Sequence, residues 1–360
     1  MDMQSKLLAI YFFTLVSSCS MQNSENSCDF SSEYNIDNKD IKYEFILEDE
    51  PGIDKVYIID SLILTFQSIE YDWAFKVFNK SSLKFLGEFG DRSGPDRILT
   101  PQYSGQFFLE KDGIKIGFGD NNRPVWWLLN LTKSIESGTA IIERKIELPN
   151  GEGLFFNSYF HPSDKFVGNT THTLNKDVAR LKFLNIENDS SWVIPLTPDS
   201  NLARNLNRGE KNRYYGSNLV MSPNGQYFAS GLILHNQIDF YNQEGNLINT
   251  FKEDGELKLS KDKSFEETLE ERRVYYGCSF AADNFFLISH WKGFSYNEQN
   301  INDAQMEIRA FSYEGKPLFK IHSPYIFESL SLDLEVGNLY GYVDSEESVI
   351  KLNINNQLKF

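Results

Sequence analysis

Apolar and polar positions alternate over short runs along most of this chain, and tight polar turns separate the runs. The clearest stretch is "NLVMSPNGQYFASGLILHNQIDFYNQEGNLINTF" (Asn218–Phe251). A period of two marks a half-buried strand, and Ser-Pro-Asn-Gly and Asn-Gln-Glu-Gly are turn chemistry. The segment is therefore expected to form four strands in one antiparallel meander, with turns at "SPNG" and "NQEG".

The first of these turns recurs as "YSGQFFLE" (Tyr103), "HPSDKFVG" (His161), "AADNFFLIS" (Ala281) and "LEVGNLYGY" (Leu334), with "IIDSLILTF" (Ile58) as an earlier variant. Taking Leu62, Phe107, Phe166, Tyr227, Phe285 and Leu339 as equivalent gives spacings of 45, 59, 61, 58 and 54 residues. Self-similarity at such a period signals a repeat architecture. One meander cannot bury both of its faces, so neighbouring copies must pack on each other. The predicted fold is all-β: a six-bladed β-propeller of four-stranded antiparallel blades, one domain over residues 40–360. Two packed β-sandwiches are the competing arrangement. Either "IKYEFIL" (Ile41–Leu47) or the terminal "QLKF" could complete the last blade, and the N-terminal strand is the expected clasp. The copy around "VWWLLNLTKSIESGTAIIERKIEL" is stretched between its third and fourth strands, and "SFEETLEERR" (Ser264–Arg273) reads as a short capped helix. Trp126 and Trp127 are expected to pack.

Residues 1–18 read as a lipoprotein signal peptide and are set aside from the fold. Lys6 precedes a ten-residue apolar run, "LLAIYFFTLV" (Leu7–Val16), too short to span a bilayer. "VSSC" follows, so Cys19 is the expected lipidation site, and the Ser/Asn-rich residues 19–39 the tether. Ser20 follows the cysteine where an aspartate would favour inner-membrane retention, so outer-membrane anchoring is expected, periplasmic or surface-exposed. Cys28 and Cys278 are expected to be free thiols, Cys278 as a small buried hydrophobe.

Aromatic residues make up 14% of the chain, which favours strands. A net charge of −16 with no basic stripe argues against nucleic-acid binding. No G-x-S-x-G elbow, P-loop, dinucleotide fingerprint or H-E-x-x-H is present, and no cofactor is expected.

The tether, "IKYEFILEDE", "YIIDSLILTF", "FKVFNKSSLKFLGEFG" with its "GDRSGPDR" ending, and "SPNGQYFA" together resemble the TolB-like six-bladed propeller lipoproteins of Bacteroides and its relatives. That family usually ends the motif on Gly-Pro-x-Glu, where this chain has Ser93-Gly94-Pro95-Asp96-Arg97. The resemblance implies the fold and carries no catalytic residue.

In an antiparallel blade the tight turns lie at one end. The joins between second and third strands and between blades lie at the other, and here they are long. Loops on a rigid scaffold commonly carry binding. Eight of the eleven arginines fall in these loops: Arg92, Arg97, Arg123, Arg204, Arg208, Arg213, Arg272 and Arg273. Guanidinium suits carboxylate, sulfate or phosphate, so they are candidate ligand-binding residues, with local pairing to Asp91, Asp96, Glu210 or Glu271 as solvated loop charge the competing reading. Trp73 and Trp291 are candidate stacking residues, with His290 beside them. His172, His235 and His322 fall near the same end without metal-ligand spacing.

The expected function is non-catalytic: a lipid-anchored protein that binds a glycan, peptide or other anionic ligand on its loop-rich face. The alternatives are a metal-dependent lactonase or lyase of the propeller type and an assembly module for a membrane protein complex.

Overall fold

The computed structural model describes residues 41–355, less 49, 94–97, 99–100, 121–122, 149–154, 162–164, 171–178, 189, 197–202, 271–272 and 296–305. Cys19, Cys28, the tether, Arg97, His172, Arg272 and "QLKF" lie outside these described residues.

The described chain starts with β1 (Tyr43–Ile46). Blade I follows as β2 (Ile53–Ile59), β3 (Leu62–Gln67), β4 (Trp73–Asn79) and β5 (Phe85–Asp91). Blade II is β6 (Pro101–Glu110), β7 (Gly113–Asp120), β8 (Arg123–Asn130) and β9 (Ile142–Glu147), with helix α1 (Leu131–Ser137) before β9. Blade III is β10 (Phe155–His161), β11 (Lys165–Thr170), β12 (Leu181–Asn185) and β13 (Ser191–Ile194). Helix α2 (Arg208–Tyr214) precedes blade IV: β14 (Ser217–Met221), β15 (Tyr227–Leu232), β16 (His235–Asn242) and β17 (Leu247–Glu256). Helix α3 (Phe265–Glu270) precedes blade V: β18 (Arg273–Ala281), β19 (Phe285–Ser295), β20 (Met306–Ser312) and β21 (Pro317–Ser323). Blade VI is β22 (Ser329–Asp333), β23 (Asn338–Val343) and β24 (Ser348–Asn353), completed by β1 in the order β1-β24-β23-β22. The six four-stranded sheets form the expected propeller, and the N-terminal strand is its clasp: Tyr43 pairs with Leu352 and Ile46 with Val349.

Blade II corrects one turn. "YSGQFFLE" lies inside β6, whose pairing jumps from Tyr103–Phe118 to Phe107–Ile116. Gly105, at φ +86°, supplies the left-handed residue of this bulge, and a mid-strand glycine bulge has the same local chemistry as a turn. The true turn is Lys111-Asp112. With Ile114 in place of Phe107 the first two spacings become 52 and 52 residues.

Blades pack face to face through aromatic side chains. Trp126 and Trp127 are 1% and 2% exposed and point to opposite faces of β8. Trp126 meets Phe160 and Phe166 of blade III, while Trp127 joins the core that blade II shares with blade I. α1 fills the stretched connection, capped by the Asn130 side chain at its start and by Gly138 in the left-handed region at its end. The Ser264 side chain and Glu267 form a reciprocal cap on α3, as its sequence implied. Residues 208–214 fall in an expected loop yet form α2, started by the same kind of capping box between Asn207 and Glu210.

Side-chain to backbone hydrogen bonds join neighbouring blades around the channel. The Tyr57 hydroxyl donates to Tyr103 O (3.0 Å), joining I to II. The Gln106 amide exchanges bonds with Phe160 N and O, joining II to III. Tyr159 donates to Leu219 O (3.0 Å), joining III to IV. The Asn218 amide donates to Tyr276 O (3.2 Å) and Gly277 O, joining IV to V. Cys278 Sγ donates to Phe327 O (3.2 Å), joining V to VI. The hydroxyls of Ser329 and Ser331 accept from Val56 N (2.9 Å) and Ile58 N (2.8 Å), closing VI onto I. Inner strands of a propeller have no neighbour within hydrogen-bonding register, so these side chains satisfy groups that burial would otherwise leave unpaired.

Candidate functional site

The first strand of each blade lines the channel, starting at the loop-rich end. Six inner strands therefore bring residues separated by tens of positions in sequence to one opening. A cavity of about 310 Å³ occupies this half of the channel. Lys55 and Tyr57 (β2), Tyr103 (β6), Tyr159 (β10), Asn218 (β14) and Cys278 (β18) reach it, with Trp291, Glu328 and Ser329.

Five of these polar groups are already engaged in joining blades, and the side chains of Tyr103, Trp291, Lys55 and Glu328 remain. Tyr103 is 2% exposed, and its hydroxyl has no hydrogen-bond partner among the described residues. The indole N–H of Trp291 is likewise without one. The Lys55 ammonium makes no hydrogen bond or ion pair that the described residues reveal, and its surface opens into the channel. Burial lowers the Lys55 pKa from the ordinary lysine value, although Cys278, Asp54 and Glu328 pull the other way. Glu328 is pushed upward by burial, with Asp344 adding to the effect and Lys55 opposing it. The cavity thus has a cation and a carboxyl on its wall, each desolvated, with tyrosine and tryptophan surfaces between them. Burial raises the Cys278 thiol to about 12, so it stays protonated. Cys278 is free and half-buried, a hydrogen-bond donor on the channel wall more than a packed hydrophobe.

Trp291 was expected in a rim loop. It lies on an extension of β19 and folds inward over Gly277, where a Cβ would collide with its indole. His290 is also not a rim residue. It is 4% exposed, and its Nε2 meets Asn236 Oδ1 at 3.1 Å. Beside it Glu307, 3% exposed, accepts from Arg309 Nε and Nη2 at 2.9 and 2.8 Å, while Arg309 Nη1 reaches Glu253 of blade IV at 2.7 Å. Lys292 and Lys320 approach the same carboxylate at 3.2 and 3.5 Å, and His322 at 3.5 Å. Burial alone would raise Glu307, but Arg309 and the two lysines outweigh it and hold the carboxyl at about 2. Burial and Arg309 hold His290 well below its ordinary value, so it is neutral. This cluster clamps blade IV to blade V with its charges compensated. Among the described residues no three His, Cys, Asp or Glu side chains are grouped to hold a metal ion.

The loop arginines among the described residues are dispersed, and none of these lines the cavity. Arg92 donates from Nη2 to Gln67 O (2.6 Å), and its backbone N–H bonds Asp72 O beside Trp73, which is 36% exposed. Arg123 pairs with Asp120 (3.3 Å) and lies over Trp127. Arg204 lies in a short turn and Arg208 opens α2. Arg213 pairs with Glu266 (2.6 Å) and covers Phe265, tying α2 to α3. Arg273 borders a separate groove beside α3 with Lys252 and Asp254. Blade I thus gathers Trp73 and Arg92, whereas α2 and α3 gather Arg213 and its partner. Sequence reading missed Lys55, Tyr103 and Glu328. An alternating strand that puts a lysine among apolar residues, as "IDKVYII" does, is the one local signal for the first.

No protein-family model matches the chain, and no curated protein does. Among solved structures, the chain resembles a member of the DUF4221 family from Bacteroides vulgatus at 8% identity and a TM-score of 0.54, covering 87% of this chain and 95% of that one. A putative exported protein from Bacteroides fragilis gives 10% identity and a TM-score of 0.49, covering 87% and 94%. At such identities the likeness concerns the fold: this chain is a six-bladed β-propeller similar in architecture to the Bacteroides vulgatus protein.

Proposed function

We propose that this is a lipid-anchored binding protein of the bacterial cell envelope, of the TolB-like kind. It takes a carboxylate-bearing glycan or peptide end into the loop-rich half of its channel. The observation that carries the reading is Lys55, a desolvated cation on the cavity wall that forms no ion pair with any carboxylate of the described residues. A ligand carboxylate would supply its missing partner, hydroxyl or ammonium donors would meet Glu328, and a sugar face or side chain would pack on Trp291 and the tyrosines. The "VSSC" motif at Cys19 supports the anchor. β1 joins the propeller from the tight-turn end, so a tether from Cys19 would leave the loop-rich opening directed away from the lipid.

Calorimetric titration with uronic acids, sialic acid and short peptides tests this, with amidated forms of each as controls. Carboxylates should bind and their amides should not, and Lys55→Met should abolish the heat. Loss of binding in a variant lacking Arg208 and Arg213, with Lys55→Met unchanged, would move the site to the rim and refute the channel reading. Labelling with radioactive palmitate, absent in Cys19→Ala, tests the anchor.

A further inference from the structure

The opposite mouth of the channel has different chemistry. Eight of the eleven exposed large apolar side chains among the described residues belong to the tight-turn end: Leu83, Phe85, Phe107, Leu109, Leu247, Ile248, Leu334 and Val336. Ile69 and Trp73 lie at the loop-rich end, and Val193 lies on the outer strand of blade III. Three of the eight, Phe107, Leu109 and Leu334, line a concave mouth of about 380 Å³ at the channel and with Met221 form its apolar wall, while Leu83, Phe85, Leu247, Ile248 and Val336 lie further out. Leu109 is 64% exposed. Apolar surface gathered around one opening marks an interaction site more often than scattered apolar residues do.

The charged groups at this mouth are mostly acidic. Asp60, Asp283, Asp333 and Glu335 line it together with one cation, Lys80. Lys80 pairs with Asp333 at 2.6 Å, and no ion pair involves Asp60, Asp283 or Glu335 among the described residues. These three carboxylates stand on the turns of the consecutive blades V, VI and I, so they form one acidic half of the opening, facing the apolar side chains of blades II and IV.

We infer that this mouth is a docking site for a segment of a partner protein that inserts a large apolar side chain and flanks it with lysine or arginine. Charge complementarity selects that occupant: an acidic segment would meet three uncompensated carboxylates, and so would an anionic lipid surface. The concave shape favours an inserted side chain over a planar bilayer, and a second copy of this chain would bring the same excess of carboxylate to the interface. The inference is independent of the ligand proposed for the other end, because Tyr159 is the one residue that borders both cavities.

The test measures fluorescence anisotropy of a short synthetic peptide that alternates lysine and leucine around a single tryptophan, titrated with the full chain. The control peptide carries glutamate in place of lysine. The basic peptide should bind and the acidic one should not. Leu109→Asp should weaken binding by about tenfold or more, and Asp60→Asn with Glu335→Gln should weaken it severalfold and flatten its salt dependence. The isosteric charge variants keep the test valid should Leu109→Asp fail to fold. Equal binding of both peptides, or none, overturns the inference. So does sedimentation of the chain with phosphatidylethanolamine or phosphatidylglycerol vesicles that Leu109→Asp abolishes, or a dimer in light scattering that Leu109→Asp dissolves.

Discussion

The two ends of the channel are built from the same six strands yet solve burial differently. At the loop-rich end the channel wall carries the desolvated Lys55 and Glu328, and the buried Glu307–Arg309–His290 cluster lies between blades IV and V. At the tight-turn end short turns leave little chain to fold over the opening, so apolar side chains such as Leu109 and Leu334 stay exposed. Long connections allow a rim to enclose charge, and short ones leave the strand ends uncovered. Loop length therefore decides which end can hold a small polar ligand and which presents a surface.

Acid should break the loop-rich end first. His235 is 2% exposed, its Nε2–H donates to Tyr214 O (3.0 Å), and burial lowers its pKa to about 4. A depressed histidine pKa stabilises the fold above the unfolded value near 6.5, and that contribution is lost as pH falls towards the folded value. Up to about 3 kcal/mol should be lost between pH 6.5 and about 4. Thermal melts should show a falling midpoint below pH 6.5, with a shallower slope in His235→Gln. An unchanged slope would assign the acid sensitivity elsewhere.

A smaller loss is expected where blade VI closes on blade I. Ser331→Ala would leave the buried Ile58 amide without its acceptor, at a cost of about 1–3 kcal/mol by chemical denaturation. Lys55→Met should weaken carboxylate binding by tenfold or more, about 1.4 kcal/mol, without lowering stability, since it removes a desolvated charge. Binding should also decline with rising pH earlier than an ordinary lysine would dictate, because the Lys55 pKa is lowered. Leu109→Asp should change stability least, within about 0.5 kcal/mol, because the side chain is largely exposed. A large loss there would show that Leu109 packs.

Much of the fold was legible residue by residue. The Asn218–Phe251 meander and the Ser264 cap are local patterns that formed where their residues indicated, and the N-terminal strand is the expected clasp although its partner strand lies at the far end of the sequence. The blade II turn misled because Gly105 in a bulge and glycine in a turn have the same left-handed backbone. The candidate site was legible only in part. Trp291 does reach the channel, but through a turned-in side chain and not a loop. The arginines drew attention by number, yet Arg123 and Arg213 have partners close in space, one of them on a different helix.

Alternation, turn residues and the period of the repeats determined from sequence alone how many blades form and which end carries the long connections. These depend on backbone geometry within a few tens of residues. Ring closure decided the rest. Lys55, Tyr103, Asn218, Cys278 and Glu328 come from five blades and share one cavity only because the inner strands converge on a common axis. No interval along the chain encodes that meeting, so which polar groups pair with each other and which remain for a ligand is a property of the tertiary structure.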